Sequence, residues 1–316
     1  MHNHLYLYSF NYDYHNEDLC KLESRVIFGE EEKEKVLFSN LKVDPLISPF
    51  IKNRIELSIP TDTYHELIKK IENENIHAEG FKAEYVILEG DLADYAERRV
   101  KLKGVGYSIN GEPNFENPSI TYSICTYANK WYFGILTKHN SEWLKHKKKP
   151  YSFSNSIGMD IAKSLVCIAS QGNKSVKLLD ACCGVGTIML EATISGFEIE
   201  GCDINSKRTN QTIKNLEHYI YKAKVHCSDI KDLNKKFDVA IIDLPYNLYS
   251  LSDELTTSNI VESTAKLADR VVIVSTTDIK TDIVNSGLKV QDFCTVGKRG
   301  KSKFERKIWV CEKESN

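Results

Sequence analysis

After Pro150 the chain alternates short apolar strands with helices, and this alternation limits its possible folds more than any other feature. The sequence predicts strands of the buried type at 176–181, 197–202, 225–227, 237–242 and 270–275. Strands separated by helices favour a parallel, doubly wound sheet. The last two predicted strands, 288–296 and 304–311, are joined by a short glycine-containing loop, which is typical of a hairpin. We therefore predict an α/β, Rossmann-like sheet that ends in an antiparallel hairpin.

A glycine turn follows the first of these strands and opens a helix. Gly184 and Gly186 allow the backbone to approach a ligand, because neither residue has a Cβ atom. The third glycine of a dinucleotide-binding turn is absent, since position 189 is Met. Asp180, at the strand end, suits a cationic ligand better than a pyrophosphate. The pattern favours S-adenosylmethionine over a nicotinamide cofactor.

Two further aspartates follow the next two predicted strands. Asp203 lies 23 residues after Asp180, where a carboxylate of a doubly wound fold accepts the ribose hydroxyls. Asp229 is a candidate acceptor for the adenine amino group. The alternative is that Asp203 and Asp229 cap the helices that follow them. Three aspartates in order, each at a strand end, predict a cofactor site more specifically than any one of them.

The fourth predicted strand ends in Asp243-Leu244-Pro245-Tyr246. An exocyclic base amine is a poor nucleophile because its lone pair is delocalised into the ring. The Asp243 carboxylate and the Leu244 carbonyl would accept its N–H groups, and Pro245 restricts Leu244 to an extended conformation. Tyr246 would stack on an extruded base. An ordinary turn is the alternative, but the placement favours amine methylation, and a carboxylate suits guanine, whose N2 lies beside a ring N1–H.

Three segments, 179–188, 201–205 and 243–246, resemble the RNA methylase family that includes the tRNA guanine-N2 methyltransferases. The resemblance implies a class I methyltransferase that uses S-adenosylmethionine and forms N2-methylguanosine in tRNA. The family has D-P-P-Y or N-P-P-Y where this chain has Leu244 as the second residue, and we expect the missing proline to loosen the loop. Residues 149–156, which lead into a predicted helix with Ile161, Leu165 and Ile168, also resemble the family's entry segment that covers the cofactor. The resemblance implies that Ser154 and Asn155 lie near the methionine end of the cofactor, although they could equally cap that helix.

The residues predicted for the site fall into two groups. The catalytic candidates are Asp243, Leu244, Pro245 and Tyr246. The cofactor candidates are Asp180, Cys182, Gly184, Gly186, Thr187, Asp203, Ile204, Asp229, Ser154 and Asn155.

The first half of the chain has a different organisation. Residues 1–89 show a βαββαβ order, which suggests a ferredoxin-like unit. Residues 90–142 resemble, more weakly, the THUMP region of the position-10 tRNA guanine methyltransferases, and the best local match is at 114–124. That resemblance implies a module that binds the acceptor end of tRNA. A basic linker at 143–150 would then lead into a methyltransferase domain at 151–316.

Charge and cysteine usage limit the partners. The formal net charge is only −2, so contact with RNA must rest on local basic patches. The candidates are Lys145, Lys147, Lys148, Lys149, Lys298, Arg299, Lys301 and Lys303. The nine cysteines include no C-x-x-C pair, so we expect neither a metal site nor a disulfide framework. Without a signal-peptide pattern or a long apolar run, we expect a soluble cytoplasmic protein that binds structured RNA as a monomer or with an accessory subunit.

Several other functions remain open on the sequence alone. The same tetrapeptide serves DNA or rRNA methyltransferases that act on adenine N6 or guanine N2. A catalytically silent RNA-binding homologue is a second alternative, because Leu244 departs from the family pattern. A nicotinamide dehydrogenase is disfavoured by Met189 and by the terminal hairpin.

Overall fold

The structure, a computed structural model, describes residues 4–153, 156–245, 251–297 and 305–314, without the side chains of 251–255. The chain forms two compact units. The first unit contains the described residues up to 11, together with 31–46 and 50–139. The second contains 12–30, 47–49 and the described residues from 140 onwards. Each unit is therefore built from several separate segments of the chain.

The described residues contain thirteen strands and eight α-helices. The strands are β1 (Leu5–Phe10), β2 (Val36–Ser39), β3 (Ile51–Thr61), β4 (Phe81–Tyr85), β5 (Ile120–Tyr127), β6 (Lys130–Lys138), β7 (Lys177–Asp180), β8 (Glu198–Asp203), β9 (Lys224–Cys227), β10 (Phe237–Asp243), β11 (Ala268–Ser275), β12 (Leu288–Gly297) and β13 (Glu305–Lys313). The helices are α1 (Glu17–Phe28), α2 (Tyr64–Asn73), α3 (Tyr95–Tyr107), α4 (Met159–Ser170), α5 (Thr187–Ile194), α6 (Ser206–His218), α7 (Leu251–Leu267) and α8 (Lys280–Asn285). Short 3₁₀ helices lie at Tyr14–Asn16, Pro45–Ile47, Glu142–Lys148 and Ile230–Asp232.

The first unit has one six-stranded sheet in the order β2-β1-β3-β6-β5-β4. The predicted ferredoxin-like unit at 1–89 is therefore wrong, as is a boundary at residue 89. Strand β4 pairs with β5 from the following segment, whereas β1 pairs with β2 and β3. The sheet needs residues from both predicted regions to satisfy its backbone hydrogen bonds. The THUMP-like character of 90–142 stays a prediction.

Helices α2 and α3 pack against this sheet, α2 on β3 and β6 and α3 on β4. A capping box between Thr63 and Glu66 starts α2, and its apolar face contributes Leu67 and Ile71 to the core. Val105 is the buried residue of α3. The apolar faces of both helices therefore help to form the core of the first unit.

The second unit has a seven-stranded sheet in the order β12-β13-β11-β10-β7-β8-β9. Strands β7 to β11 pair in parallel, and β13 is antiparallel to both β11 and β12. The predicted Rossmann-like sheet with a terminal antiparallel hairpin is confirmed. Strand β13 lies inside the sheet, so β12 forms its edge.

Helix α1 belongs to this second unit, which corrects the prediction that 151–316 forms the domain alone. Glu23 of α1 is buried and hydrogen-bonds with Ser48. Burial raises the pKa of Glu23 to about 7, although hydrogen bonds from Ser164 and Ser48 lower it. Nearer the end of α1, Arg25 Nε lies 2.8 Å from Asp292 of β12. The unit is therefore completed by a helix from the beginning of the chain.

The predicted basic linker at 143–150 is also part of this unit. It forms the 3₁₀ helix Glu142–Lys148, which packs against α4 and α5. His146 is fully buried, with Nδ1 at 2.7 Å from Glu191 Oε1 and Nε2 at 3.0 Å from Tyr221 Oη. A buried histidine with a polar partner on each ring nitrogen fixes the segment, which explains why it is not a free linker. None of the helices formed by described residues has the length and apolar character needed to cross a membrane.

Candidate active site

Four aspartates lie together at the carboxyl ends of the parallel strands. Strands β7, β8 and β10 end at Asp180, Asp203 and Asp243, and Asp229 lies just beyond β9. Because these strands are neighbours and run in the same direction, their carboxyl ends lie side by side. All four residues line a single cavity of about 920 Å³. The sequence prediction that these aspartates form one site agrees with this arrangement.

Asp180 lines the cavity and is 1% exposed. Neither of its carboxylate oxygens has a hydrogen-bond partner of good geometry among the described residues. Burial raises the pKa of Asp180 well above its ordinary range, and the charges of Asp243 and Asp203 raise it further, while the N–H of Cys182 lowers it. A buried acid with such surroundings is stabilised by a cationic ligand more than by solvent.

The glycine turn lies between Asp180 and α5. Gly184 has a φ of +55°, and its N–H donates to Asp203 Oδ2 at 2.9 Å. Gly186 does not line the cavity: a Cβ atom there would lie 2.6 Å from Thr212, so its role is close packing. Thr187 and Cys182 do line it, and the buried Thr187 hydroxyl has no hydrogen-bond partner among the described residues. The turn therefore presents polar groups to the cavity, and Gly186 allows it to pack closely against Thr212 of α6.

Asp203 and Asp229 differ in their local roles. Asp203 accepts from the N–H groups of Gly184 and Asn205, at 2.9 and 2.8 Å. Helix α6 is capped by Asn205, not by Asp203, which removes the capping alternative for Asp203. Asp229 does cap the 3₁₀ helix at Ile230–Asp232, and it forms an ion pair with Lys231 at 3.1 Å. The hydrogen bond from the Lys231 N–H lowers the pKa of Asp229.

Ile204 also lines the cavity, and it is 73% exposed. An apolar side chain this exposed beside a cavity gains from contact with a flat ligand. The predicted cofactor role of Ile204 stays a prediction.

The end of β10 brings Asp243, Leu244 and Pro245 to the same cavity. The Leu244 N–H donates to the Val274 carbonyl at 3.0 Å, which extends the pairing of β10 with β11. The Leu244 side chain is 4% exposed and lies in the same hydrophobic cluster as Val261. Leu244 itself is therefore held in place at the end of β10, whereas the expectation that it loosens the loop falls on 246–250, which lie outside the described residues, and stays a prediction. A proline could not make that hydrogen bond, and leucine anchors the segment instead.

Several predicted residues lie outside the described residues. They are Ser154, Asn155, Tyr246, Lys298, Arg299, Lys301 and Lys303. The other basic candidates, Lys145, Lys147, Lys148 and Lys149, lie on or directly after the 3₁₀ helix Glu142–Lys148. The first three are not buried with His146, whereas Lys149 is half-buried and its burial lowers its pKa. Lys145 is held over the rings of Tyr219 and Tyr221, at 5.9 and 5.5 Å.

Helix α7 contributes cavity residues that the sequence analysis missed. Thr256, Asn259, Ser263 and Lys266 all line the cavity. Their spacing of three, four and three residues is that of one helix face. Polar residues at this spacing, beginning ten residues after Tyr246, are the sequence signal that could have identified this face.

A family comparison agrees with this geometry. Residues 147–277 match the model of the RMKL-like methyltransferase domain. This part of the chain is therefore similar to a methyltransferase domain, and the match covers less than half of the chain. The match begins within the 3₁₀ helix at Glu142–Lys148 and ends just after β11, so the matched residues include all four aspartates.

Similar proteins were found for parts of the chain. It is 29% identical over 117 residues to a tRNA (guanine(10)-N2)-dimethyltransferase of Methanothermobacter thermautotrophicus, covering 36% of this chain and 34% of that protein. It is 25% identical over 164 residues to the protein of the same name from Methanocaldococcus jannaschii, covering 47% and 45%. The chain thus spans less than half of the length of these two relatives. Among solved structures, TrmN from Thermus thermophilus aligns with a TM-score of 0.48 and 14% identity, over 98% of this chain and 100% of that one.

Proposed function

We propose that this protein is an S-adenosylmethionine-dependent methyltransferase that acts on the exocyclic N2 of guanine in tRNA. The observation that carries the proposal is the group of four aspartates around one cavity, at the carboxyl ends of adjacent parallel strands. The similarity of parts of this chain to tRNA (guanine(10)-N2)-dimethyltransferases supports guanine in tRNA as the substrate. A cytoplasmic site of action is part of the same proposal.

The residues around the cavity fit this cofactor. Asp180 is buried without a hydrogen-bond partner of good geometry in the described part of the chain, which suits the cationic amino acid part of S-adenosylmethionine. Asp203 would accept the ribose hydroxyls, since its side chain is held in place by two backbone N–H groups. Asp229 and Ile204 would contact the adenine. When bound, the cofactor supplies a methyl group on a sulfonium, which is a strong electrophile.

The end of β10 would then hold the target amine. The Asp243 carboxylate and the Leu244 carbonyl accept its two N–H groups, which keeps the nitrogen lone pair free for the methyl group. Leu244 is fixed by its hydrogen bond to Val274 and by its buried side chain, so its carbonyl is a rigid acceptor. Pre-aligned acceptors lower the barrier because the protein does not reorganise during the reaction.

The test compares methyl transfer and cofactor binding in matched variants. Asp243→Asn and Asp243→Ala should lower methyl transfer to unmodified tRNA by at least about 100-fold. Asp238→Asn is the control, because Asp238 lies at the opposite, exposed end of the same strand. Cofactor affinity by titration calorimetry should stay within about threefold of the unaltered protein, and mass spectrometry of tRNA nucleosides should find N2-methylguanosine. Transfer to duplex DNA instead of tRNA, or full activity of Asp243→Ala, would refute the proposal.

A further inference from the structure

Helix α3 of the first unit carries an exposed stripe of aromatic and basic residues. The α3 stripe consists of Tyr95, Arg99, Lys103 and Tyr107, spaced four residues apart. This spacing places them along one side of the helix, about 6 Å apart along its axis. Tyr95 and Tyr107 are 69% and 79% exposed, and both basic residues are exposed. The stripe therefore offers two rings and two cations to a ligand.

The opposite side of α3 explains why the stripe is fixed in orientation. Val105 is buried in the core of the first unit, and Leu102 packs against the same cluster. The Tyr64 hydroxyl donates to the Lys101 carbonyl at 2.7 Å. A Cβ at Gly104 would lie 2.2 Å from that hydroxyl, so the glycine allows α2 and α3 to approach closely. The helix cannot rotate to bury the stripe without breaking these interactions.

Cation–π contacts also join the residues of the stripe in pairs. The Arg99 guanidinium lies 5.8 Å from the centre of the Tyr95 ring, and the Lys103 ammonium lies 5.5 Å from that of Tyr107. Each tyrosine therefore has a cation beside it and keeps most of its surface accessible. Cation–π pairs limit the motion of both side chains, which reduces the entropy lost when a ligand binds.

The charge of α3 indicates an anionic ligand. The helix carries four basic residues, Arg98, Arg99, Lys101 and Lys103, and one acidic residue, Glu97. Glu97 is already paired with Lys101, away from the stripe. The N-cap residue of α3, Asp94, accepts a hydrogen bond from the Glu97 N–H. The basic groups of the stripe therefore face solvent without an acidic residue of their own helix between them.

We propose that the α3 stripe binds single-stranded RNA, with bases stacked on Tyr95 and Tyr107 and phosphates on Arg99 and Lys103. Neighbouring aromatic and basic groups match a strand that offers a flat base and a charged phosphate at every nucleotide. A duplex fits less well, because its base faces are covered by neighbouring bases. A protein partner would have to desolvate both cations to reach the tyrosines, which is costly without paired carboxylates. The inference rests on the proposed function only for RNA as the type of nucleic acid.

Fluorescence anisotropy of a labelled oligoadenylate with the full chain tests this inference. Tyr95→Leu and Tyr107→Leu should each weaken binding by about fivefold or more, since a stacked base contributes at least about that factor. Tyr95→Phe and Tyr107→Phe keep the ring and should bind like the unaltered protein. Arg99→Gln with Lys103→Gln should reduce the slope of log affinity against log salt by about 0.7 for each phosphate that is no longer neutralised.

Matched controls separate a local effect from a general one. Lys52→Gln with Lys69→Gln removes two exposed lysines elsewhere in the first unit and should change binding far less. Tyr14→Leu, at an exposed tyrosine of the second unit, should leave affinity unchanged. No binding of oligoadenylate by the unaltered protein would overturn the inference, as would leucine variants that bind normally or phenylalanine variants that bind as weakly as leucine.

Methyl transfer to tRNA is measured on the same samples. Stripe-dependent binding without any methyl transfer leaves this inference standing and refutes the proposed function. Normal methyl transfer with oligoadenylate affinity unaffected by the stripe variants refutes this inference alone.

Discussion

Replacing Asp180 with asparagine should stabilise the second unit and at the same time weaken cofactor binding. The Asp180 carboxylate is buried, has no hydrogen-bond partner of good geometry among the residues that the structure describes, and has Asp203 and Asp243 as charged neighbours. Folding therefore places an acid where its charge is unfavourable, which is a cost that a bound cation removes. Asparagine has nearly the same shape and no charge, so it removes the electrostatic cost and the attraction for the cofactor together.

The size of both effects follows from the burial of this side chain. Asparagine remains a buried polar group and removes only the charge, so we expect a gain of about 1 kcal/mol or more in the free energy of unfolding, since one unit of pKa shift corresponds to about 1.4 kcal/mol. That corresponds to roughly 2–4 °C in Tm for each kcal/mol in a unit of this size. A hydrogen bond to a charged group contributes about 1.5–3 kcal/mol, so cofactor affinity should fall by roughly 10- to 150-fold.

The effect on stability should depend on pH in a defined direction. The ordinary pKa of an aspartate is 3.8, and the pKa of Asp180 in the folded protein is raised well above it. Between these two values the unfolded chain has lost the proton and the folded protein keeps it, so stability falls as pH rises. The Tm advantage of Asp180→Asn should therefore widen as the pH increases through this window. The cofactor affinity of the unaltered protein should rise over the same window, with release of a proton on binding.

Thermal unfolding followed by intrinsic fluorescence, with and without S-adenosylmethionine, measures all of these quantities. Asp238→Asn is the control for removing an acid, because Asp238 is exposed and far from the cavity end of its strand. Asparagine keeps a side-chain oxygen that can accept the Lys177 N–H, which Asp238 accepts at 2.7 Å. The cofactor should raise the Tm of the unaltered protein and of this control more than that of Asp180→Asn. A variant that binds the cofactor normally, or that is less stable than the unaltered protein at about pH 8, would refute the reasoning.

Two further substitutions test neighbouring parts of the site. Asp203→Asn should weaken cofactor binding, measured by calorimetry, by about 10-fold or more. The helix content measured by circular dichroism should not change, because Asn205 caps α6. A cofactor affinity equal to that of the unaltered protein would exclude the ribose role. Leu244→Pro should lower the free energy of unfolding by about 2 kcal/mol or more, because the hydrogen bond to Val274 and the buried side chain are both removed. Denaturant unfolding measures this, and an unchanged midpoint would show that Leu244 does not anchor the loop.

The second half of the fold could be predicted because its signals are local. Apolar strands that end in Asp180, Asp203 and Asp243 specify both the parallel sheet and the edge at which the acids meet. The glycine turn marks the start of α5. Such a pattern repeats along the chain, so each part supports the others.

Other features depend on pairing between distant residues, which a single sequence does not reveal. The strand order of the first unit could not be obtained from its βαββαβ order, since β4 finds its partner in β5. The anchoring of Leu244 depends on the Val274 carbonyl of the next strand. Likewise, the His146 side chain resembles one more polar residue in a lysine-rich segment until Glu191 and Tyr221 are seen around it.

The placement of α1 has a consequence for dividing this protein. A fragment that begins at residue 140 would contain every aspartate of the cavity but would lack Glu23 and Arg25. The surface of α4 would then be without its covering helix, and Asp292 of β12 would be without its arginine. We expect such a fragment to aggregate, because the surface of α4 that α1 covers would be exposed to solvent. No single cut of the chain yields an intact second unit.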